Sequence, residues 1–275
     1  MKATKLSLTV ITFFLLLFST SMGFAQDEPE RPMYVVATTL HWNMDYEDFD
    51  MDTWKAVEKE YLDKVTMKNE LIMSSSVYLH RFTTDNTELI SVQTFGSWDA
   101  IDKAGARNAE LARLAWPDSI ARRNYFQKRN AYYSNDHSDE IYATMNGAKP
   151  MAAPTKDVIL YLQKSHFAFP KDGSQKEFNA LNKDYIENVI NKNDLILGYY
   201  PSAHAWGTDR TEYLEAYFVD SMENLDKMLA KNGELFEAHW ADEEARKEFN
   251  KKGDKYFTGK HGDYIYTRVF GLAKN

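Results

Sequence analysis

The chain contains no cysteine. That excludes disulfides, thiol nucleophiles, thiolate-held metal or haem, and a lipid-modified N-terminal cysteine. Long runs of like charge are missing as well. So are a His-Glu-x-x-His pair, a glycine-rich phosphate loop and a Gly-x-Ser-x-Gly elbow. No motif therefore requires a metal or a cofactor. Basic residues are outnumbered: the net charge is −8, and −10 once Lys2 and Lys5 are set aside. An acidic surface argues against nucleic acid or anionic lipid as the main partner.

What is present starts with the features of an export signal. Lys2 and Lys5 make a basic start, Leu6 to Phe18 is mostly apolar, and Ser19 to Ala25 is a small-residue tail ending Gly23-Phe24-Ala25. The apolar run is shorter than the roughly 20 residues of a membrane span, and acidic Asp27-Glu28-Pro29-Glu30 follows at once. Residues 1–25 thus read as a cleaved signal peptide and 26–33 as a leader. The expected location is periplasmic or secreted, with no membrane insertion after cleavage. Without bridges, such a protein must be stabilised by its core. Aromatic residues are abundant: Tyr 17, Phe 16 and Trp 6.

The chain repeats itself. Trp116-Pro117-Asp118, Arg122-Arg123, Tyr132-Tyr133 and His137-Ser138-Asp139 return as Trp240-Ala241-Asp242, Arg246-Lys247, Tyr256-Phe257 and His261-Gly262-Asp263. Trp240 minus Trp116 is 124, and so is His261 minus His137. Tyr61 with Tyr185, Leu71-Ile72 with Leu195-Ile196, His80 with His204 and Thr87-Glu88 with Thr211-Glu212 keep that offset, while His41-Trp42 and His166-Phe167 need a one-residue slip. An offset shared by aromatic, acidic, basic and histidine positions marks an internal duplication.

Within the first copy, Tyr34 to Trp42 reads as a strand and Trp54, Val57, Tyr61, Leu62 and Val65 as one face of a helix. Leu71 to Phe82 and Glu88 to Phe95 are strands joined by the turn Thr83-Thr84-Asp85-Asn86. Ser97 caps the next helix, Pro117 suits the first turn of another, and Ile141 to Met145 is the last strand. After the linker 148–156 the order returns, with Ser174 and Glu177 spaced as a capping box and helix over Ser221 to Phe257. The repeats are 34–147 and 157–275. Each is βαββαβ with an added helix, a ferredoxin-like order whose antiparallel sheet leaves one face to be covered.

This order, present twice, resembles the dimeric α+β barrel superfamily in a duplicated, single-chain form. The resemblance implies an α+β fold in which the two sheets pack as a pseudo-dimeric barrel. The superfamily includes cofactor-free monooxygenases, haem-degrading and haem-peroxidase enzymes, and isomerases. The Asn, Trp and His set of its haem-degrading members has no matching positions here, so that activity is not carried over.

Strand alternation sorts candidate inner-face residues. In the second strands Tyr78, His80 and Phe82 share one face, as do Tyr200, Ser202, His204 and Trp206. In the third strands Ile90, Val92, Leu214, Ala216 and Phe218 look like core against helices. Their alternates, Ser91, Gln93 and Phe95 with Tyr213, Glu215 and Tyr217, are assigned to the inner face. Tyr161, Gln163, Tyr266 and Arg268 join them. Aromatics with a few polar groups suit a small-molecule pocket. A carboxylate among tyrosines and a histidine would have a raised pKa, so Glu215, His204 and Tyr217 are the candidate catalytic groups. His80, Gln93, Tyr161, Gln163, Tyr200 and Arg268 are candidate ligand-binding residues. The expected partner is a small apolar or aromatic ligand. Three functions remain open: a binding protein, a monooxygenase or isomerase with haem as its conceivable cofactor, and a non-catalytic envelope protein. The duplication permits a monomeric pseudo-dimer, and a homo-oligomer is equally allowed.

Overall fold

The structure, a computed structural model, describes residues 31–275; the segment expected to be an export signal and most of the expected leader lie outside the described residues. The first repeat runs β1 (Tyr34–Trp42), α1 (Met51–Lys64), β2 (Ser74–Phe82), β3 (Glu88–Phe95), α2 (Trp98–Ala115), α3 (Ser119–Asn130) and β4 (Tyr133–Thr144). The second runs β5 (Val158–Phe167), α4 (Gln175–Tyr185), β6 (Gly198–Trp206), β7 (Glu212–Val219), α5 (Met222–His239), α6 (Glu243–Asp254) and β8 (Phe257–Lys274). Within each repeat the strands pair antiparallel in the order 4-1-3-2, counted along that repeat. The two sheets then join edge to edge through β2 with β8 and β4 with β6, which closes one eight-stranded barrel. Closure leaves no free sheet edge to be managed.

Duplicated residues make duplicated contacts. Ser97 and Ser221 cap α2 and α5, and Asp118 and Asp242 cap α3 and α6. Each such cap is worth about 1 kcal/mol. Asn69 and Asn193 are wholly buried; each side chain accepts from the backbone two residues on and donates to a helix carbonyl and a second asparagine. The slip in the first strands is also present: Val35 faces Tyr142, while Leu160 faces Tyr266.

Some boundaries move. β4 and β8 begin at Tyr133 and Phe257, so the two His-x-Asp segments are exposed strand rather than turn, paired with β1 and β5. Pro117 precedes α3, because Asp118 takes the cap position and accepts from Ala121. The helical stretch of the second repeat breaks at Trp240–Asp242 into α5 and α6. Of the capping box only one arm forms: Ser174 accepts from Glu177 N at 3.1 Å, while the Glu177 carboxylate turns to Lys255 and Tyr256.

Both faces of the closed sheet are buried, each by its own cluster. On the outside, Ile159, Tyr199, Tyr217 and Val219 pack with Ile186, Ile190, Leu225 and Met228 from the helical side of the second repeat. On the inside, Tyr78, Val158, Leu160, Phe218 and Tyr266, with Ile90, Val92 and Ala216, come from strands of both repeats, joined by Met151 of the connecting segment. This corrects the face expected for β3, β5 and β7. Ile90, Val92, Leu214, Ala216 and Phe218 point inward, whereas Gln93, Tyr161, Gln163, Glu215 and Tyr217 lie on the helix-covered face. The physical reason is that the barrel interior is itself an apolar core. The more hydrophobic alternation need not face the helices when both sides exclude water. For β2, β6 and β8 the expected face is the observed one.

Candidate functional site

Inward-facing polar residues gather where β7, β4, β5 and β6 of the closed barrel run side by side. Strand pairing sets His166 opposite Glu212 and His204 opposite Tyr142. Glu212 is buried, and its carboxylate accepts from the Tyr142 hydroxyl at 2.6 Å and from Lys164 Nζ at 2.8 Å. Burial first, and then that acceptor, push the Tyr142 phenol above its usual range, so it stays a protonated donor. His166 Nδ1 lies 3.1 Å from both Asp209 Oδ2 and Thr211 Oγ1. His204 Nδ1 is buried and has no hydrogen-bond partner among the described residues.

The first repeat shows which of these features are merely inherited. Tyr266 donates to Glu88 at 2.9 Å, and His41 Nε2 stands 3.4 Å from Asp85, so the carboxylate–phenol pair and the histidine–aspartate pair occur twice. Two features occur once. Where the second repeat has Lys164, the first has Thr39. And His80 Nδ1 has a partner, Thr83 Oγ1 at 2.7 Å. The residue equivalent to Thr83 is Gly207, at φ +145, with the Glu140 carboxylate lying where a side chain would be. A Cβ on Gly207 would fall 1.5 Å from Glu140 Oε2. Glu140 in turn accepts from Thr208 Oγ1 at 3.0 Å. This glycine therefore removes the hydroxyl that would have satisfied His204. A buried polar atom left without a partner costs about 1–3 kcal/mol.

The sequence-derived candidates divide between the two faces. His204, His80, Tyr200 and Arg268 point inward. Arg268 is buried and donates to Ser76 Oγ at 3.0 Å and Asn275 Oδ1 at 2.7 Å; Tyr200 stands beside Phe218 and receives Met151 N at 2.8 Å. Glu215 and Tyr217 do come together, but under the helices and away from His204. Tyr199 and Tyr217 donate to Glu215 at 2.7 and 3.1 Å. Burial raises the Glu215 pKa, against the pull of the two hydroxyls. Tyr161 stacks near Tyr217 and donates to Asp263, and Gln163 and Gln93 share this outer face. Sequence reasoning missed Tyr142, Lys164, His166 and Glu212. The 124-residue matches mark Glu212 as a feature of the fold, and the slip that aligns His41 with His166 sets the register of Lys164 and His166.

The solved structures that match this closed eight-stranded arrangement have the dimeric α+β barrel fold. The chain has that fold, in single-chain form. A proposed monooxygenase from Lactobacillus acidophilus NCFM matches with TM-score 0.52 and 10% identity, over 87% of this chain and 94% of that one. An anthrone oxidase-like protein matches with TM-score 0.50 and 12% identity, over 89% and 94%. A mutant chlorite dismutase from Candidatus Nitrospira defluvii matches with TM-score 0.52 and 10% identity, over 87% and 92%. No family model matches the sequence, and no curated protein does.

A haem does not fit the residues present. Neither the hollow between α2 and α3 nor the one around Pro154, Arg268 and Phe270 has a histidine in its wall. Beside His204 the inward space is packed by Tyr142, Ser202 and Leu214, each at most 8% exposed. Among the described residues, no three His, Asp or Glu side chains converge as a metal site.

Proposed function

We propose that the barrel binds a small aromatic or apolar molecule carrying one polar group, held at the His204 end of its interior. The observation that carries this reading is the buried, unpartnered Nδ1 of His204 beside the Tyr142–Glu212–Lys164 cluster. Because Tyr142, Ser202 and Leu214 fill the space further in, the body of the ligand would rest towards the end of β6 against the exposed ring of Trp206, and its polar group would complete the imidazole's hydrogen bonding. Proteins with this fold that are described as a monooxygenase and an anthrone oxidase-like protein support a second reading, turnover. In that case His204 takes a proton from the bound molecule as a general base, and the Tyr142–Glu212 pair fixes the neighbouring wall. Export of the mature chain is part of the proposal, supported by residues 1–25 of the sequence. One chain closes the barrel, so binding needs no second copy.

Thermal unfolding in the presence of a panel of phenols and aromatic acids tests the site. A ligand at 100 times its Kd should stabilise the protein by about 2.7 kcal/mol. His204→Ala should lose that shift and His80→Ala should keep it. A flat response across the panel, or a shift indifferent to His204→Ala, overturns the reading.

A further inference from the structure

The groove between α2 and α3 is the feature that the interior site leaves unused. Its volume is about 400 Å³, and its walls are Ala109, Ala112, Arg113, Ser119, Arg122, Arg123 and Phe126. That volume lies in the range of small-molecule sites. The second repeat shows why the hollow exists. Phe236 stands at the position of Ala112 and packs against Tyr185, Trp240 and Phe249, which fills the equivalent space. In the first repeat Trp116 stacks on Tyr125 with ring centroids 4.1 Å apart, and the small Ala112 side chain forms part of the hollow's wall.

The net charge of the groove also differs between the copies. Three guanidinium groups line it on a chain of net charge −8. Arg122 gives Nη1 to the Trp116 carbonyl at 2.8 Å, which fixes its position in the wall. Arg113 and Arg123 are exposed and form no ion pair with a described residue. Asp118, the adjacent acid, is committed to the cap of α3. At the places of Arg113 and Ser119 the second repeat has Glu237 and Glu243, so there Arg246 and Lys247 are balanced by two acids.

We propose that this groove is a binding site for a small anionic amphiphile, a short apolar chain or ring bearing a phosphate or carboxylate. The apolar body rests on Ala109, Ala112 and Phe126, and the head group accepts from Arg113, Arg122 and Arg123. Planar guanidinium forks suit both head groups, because each can receive paired N–H donors.

Isothermal titration of the full chain with octyl phosphate, octanoate and inorganic phosphate tests this. Saturable binding of one octyl ligand per chain is expected, weakening as salt rises. The double variant Arg113→Glu with Arg123→Glu should lose at least about tenfold in affinity. Lys247→Glu, on the equivalent surface of the second repeat, should leave affinity unchanged. Both altered arginines are exposed and unpaired, so an unchanged melting temperature will show that the fold persists. Inorganic phosphate binding as tightly as octyl phosphate would remove the apolar floor from the site and overturn the amphiphile. Loss of affinity in Lys247→Glu, or none in the double variant, would overturn the location. Retention on vesicles of phosphatidylcholine and phosphatidylglycerol, without binding of the soluble octyl ligands, would overturn the small ligand in favour of a membrane surface.

Discussion

Glu215 is a partly buried carboxyl whose neighbours pull its protonation in opposite directions: burial raises its pKa, and hydrogen bonds from Tyr199 and Tyr217 lower it by less. The net shift is upward, so the folded chain holds this proton at pH values where the unfolded chain has lost it. Unfolding free energy must then fall as pH rises from the unfolded value, about 4.3, through the folded one, with a slope of at most about 1.4 kcal/mol per pH unit. Above the folded pKa the curve is flat again. Glu215→Gln keeps an oxygen acceptor for both hydroxyls and removes the titration. The variant should therefore gain stability relative to the native chain between about pH 5 and pH 8. Urea midpoints at the two pH values measure this; a difference independent of pH would mean that the carboxyl is not shifted upward. Ligand affinity at the His204 site should be unaltered, since Glu215 lies on the opposite face of the sheet.

At the scale of elements, the two repeats solve the same packing problem with different chemistry. In the first, Glu58 of α1 is buried and takes both Nε and Nη2 of Arg129 from α3, at 2.8 and 2.9 Å, and the hydroxyl of Tyr133 from β4 at 2.7 Å. Trp54 Nε1 donates to that same hydroxyl. The equivalent residues in the second repeat are Asn182, Gly253, Phe257 and Phe178, and there the corner is an aromatic cluster. Breaking a buried pair from one side leaves a charge without compensation, so Arg129→Met should cost about 3–5 kcal/mol. Glu58→Gln combined with Arg129→Met should cost clearly less than the two single changes together, as a double-mutant cycle of denaturant unfolding would show. Additive costs would mean that the two side chains do not act as a pair. The same contrast explains what was legible beforehand. The 124-residue offset gave the order of the elements because caps, buried asparagines and helix-closing tryptophans recur in kind. Which face of β3, β5 and β7 meets the helices was not legible. Alternation separates two faces but does not name them, and Leu160 and Phe218 are as apolar as Ile159 and Val219. His204 was visible as a candidate; that its ring lacks a partner depended on Gly207 and Glu140, contacts that spacing alone does not show.

Across the whole molecule, the two repeats are held together by the strand junctions β2–β8 and β4–β6 and by the interior cluster. The Tyr142–Glu212 and Tyr266–Glu88 bonds each cross from one repeat to the other. The connecting segment 148–156 is tied to the second repeat by the Lys149–Tyr199 bridge, by Lys149 Nζ on the Asn193 carbonyl and by Met151 N on the Tyr200 hydroxyl, and its Ala152 and Ala153 are exposed. Its main physical role is then to keep the halves at high effective concentration. A protease site inserted between Ala152 and Ala153, cut in the folded protein, should leave the halves together on gel filtration. What the cut removes is an effective concentration on the order of millimolar. At micromolar protein this is worth about 4 kcal/mol, so the nicked form should unfold at lower urea, with a midpoint that falls further on dilution. The uncut protein should show no such dependence. Separation of the halves without denaturant would mean that the junctions and interior do not hold the barrel closed by themselves, and that the covalent link is a structural member of it.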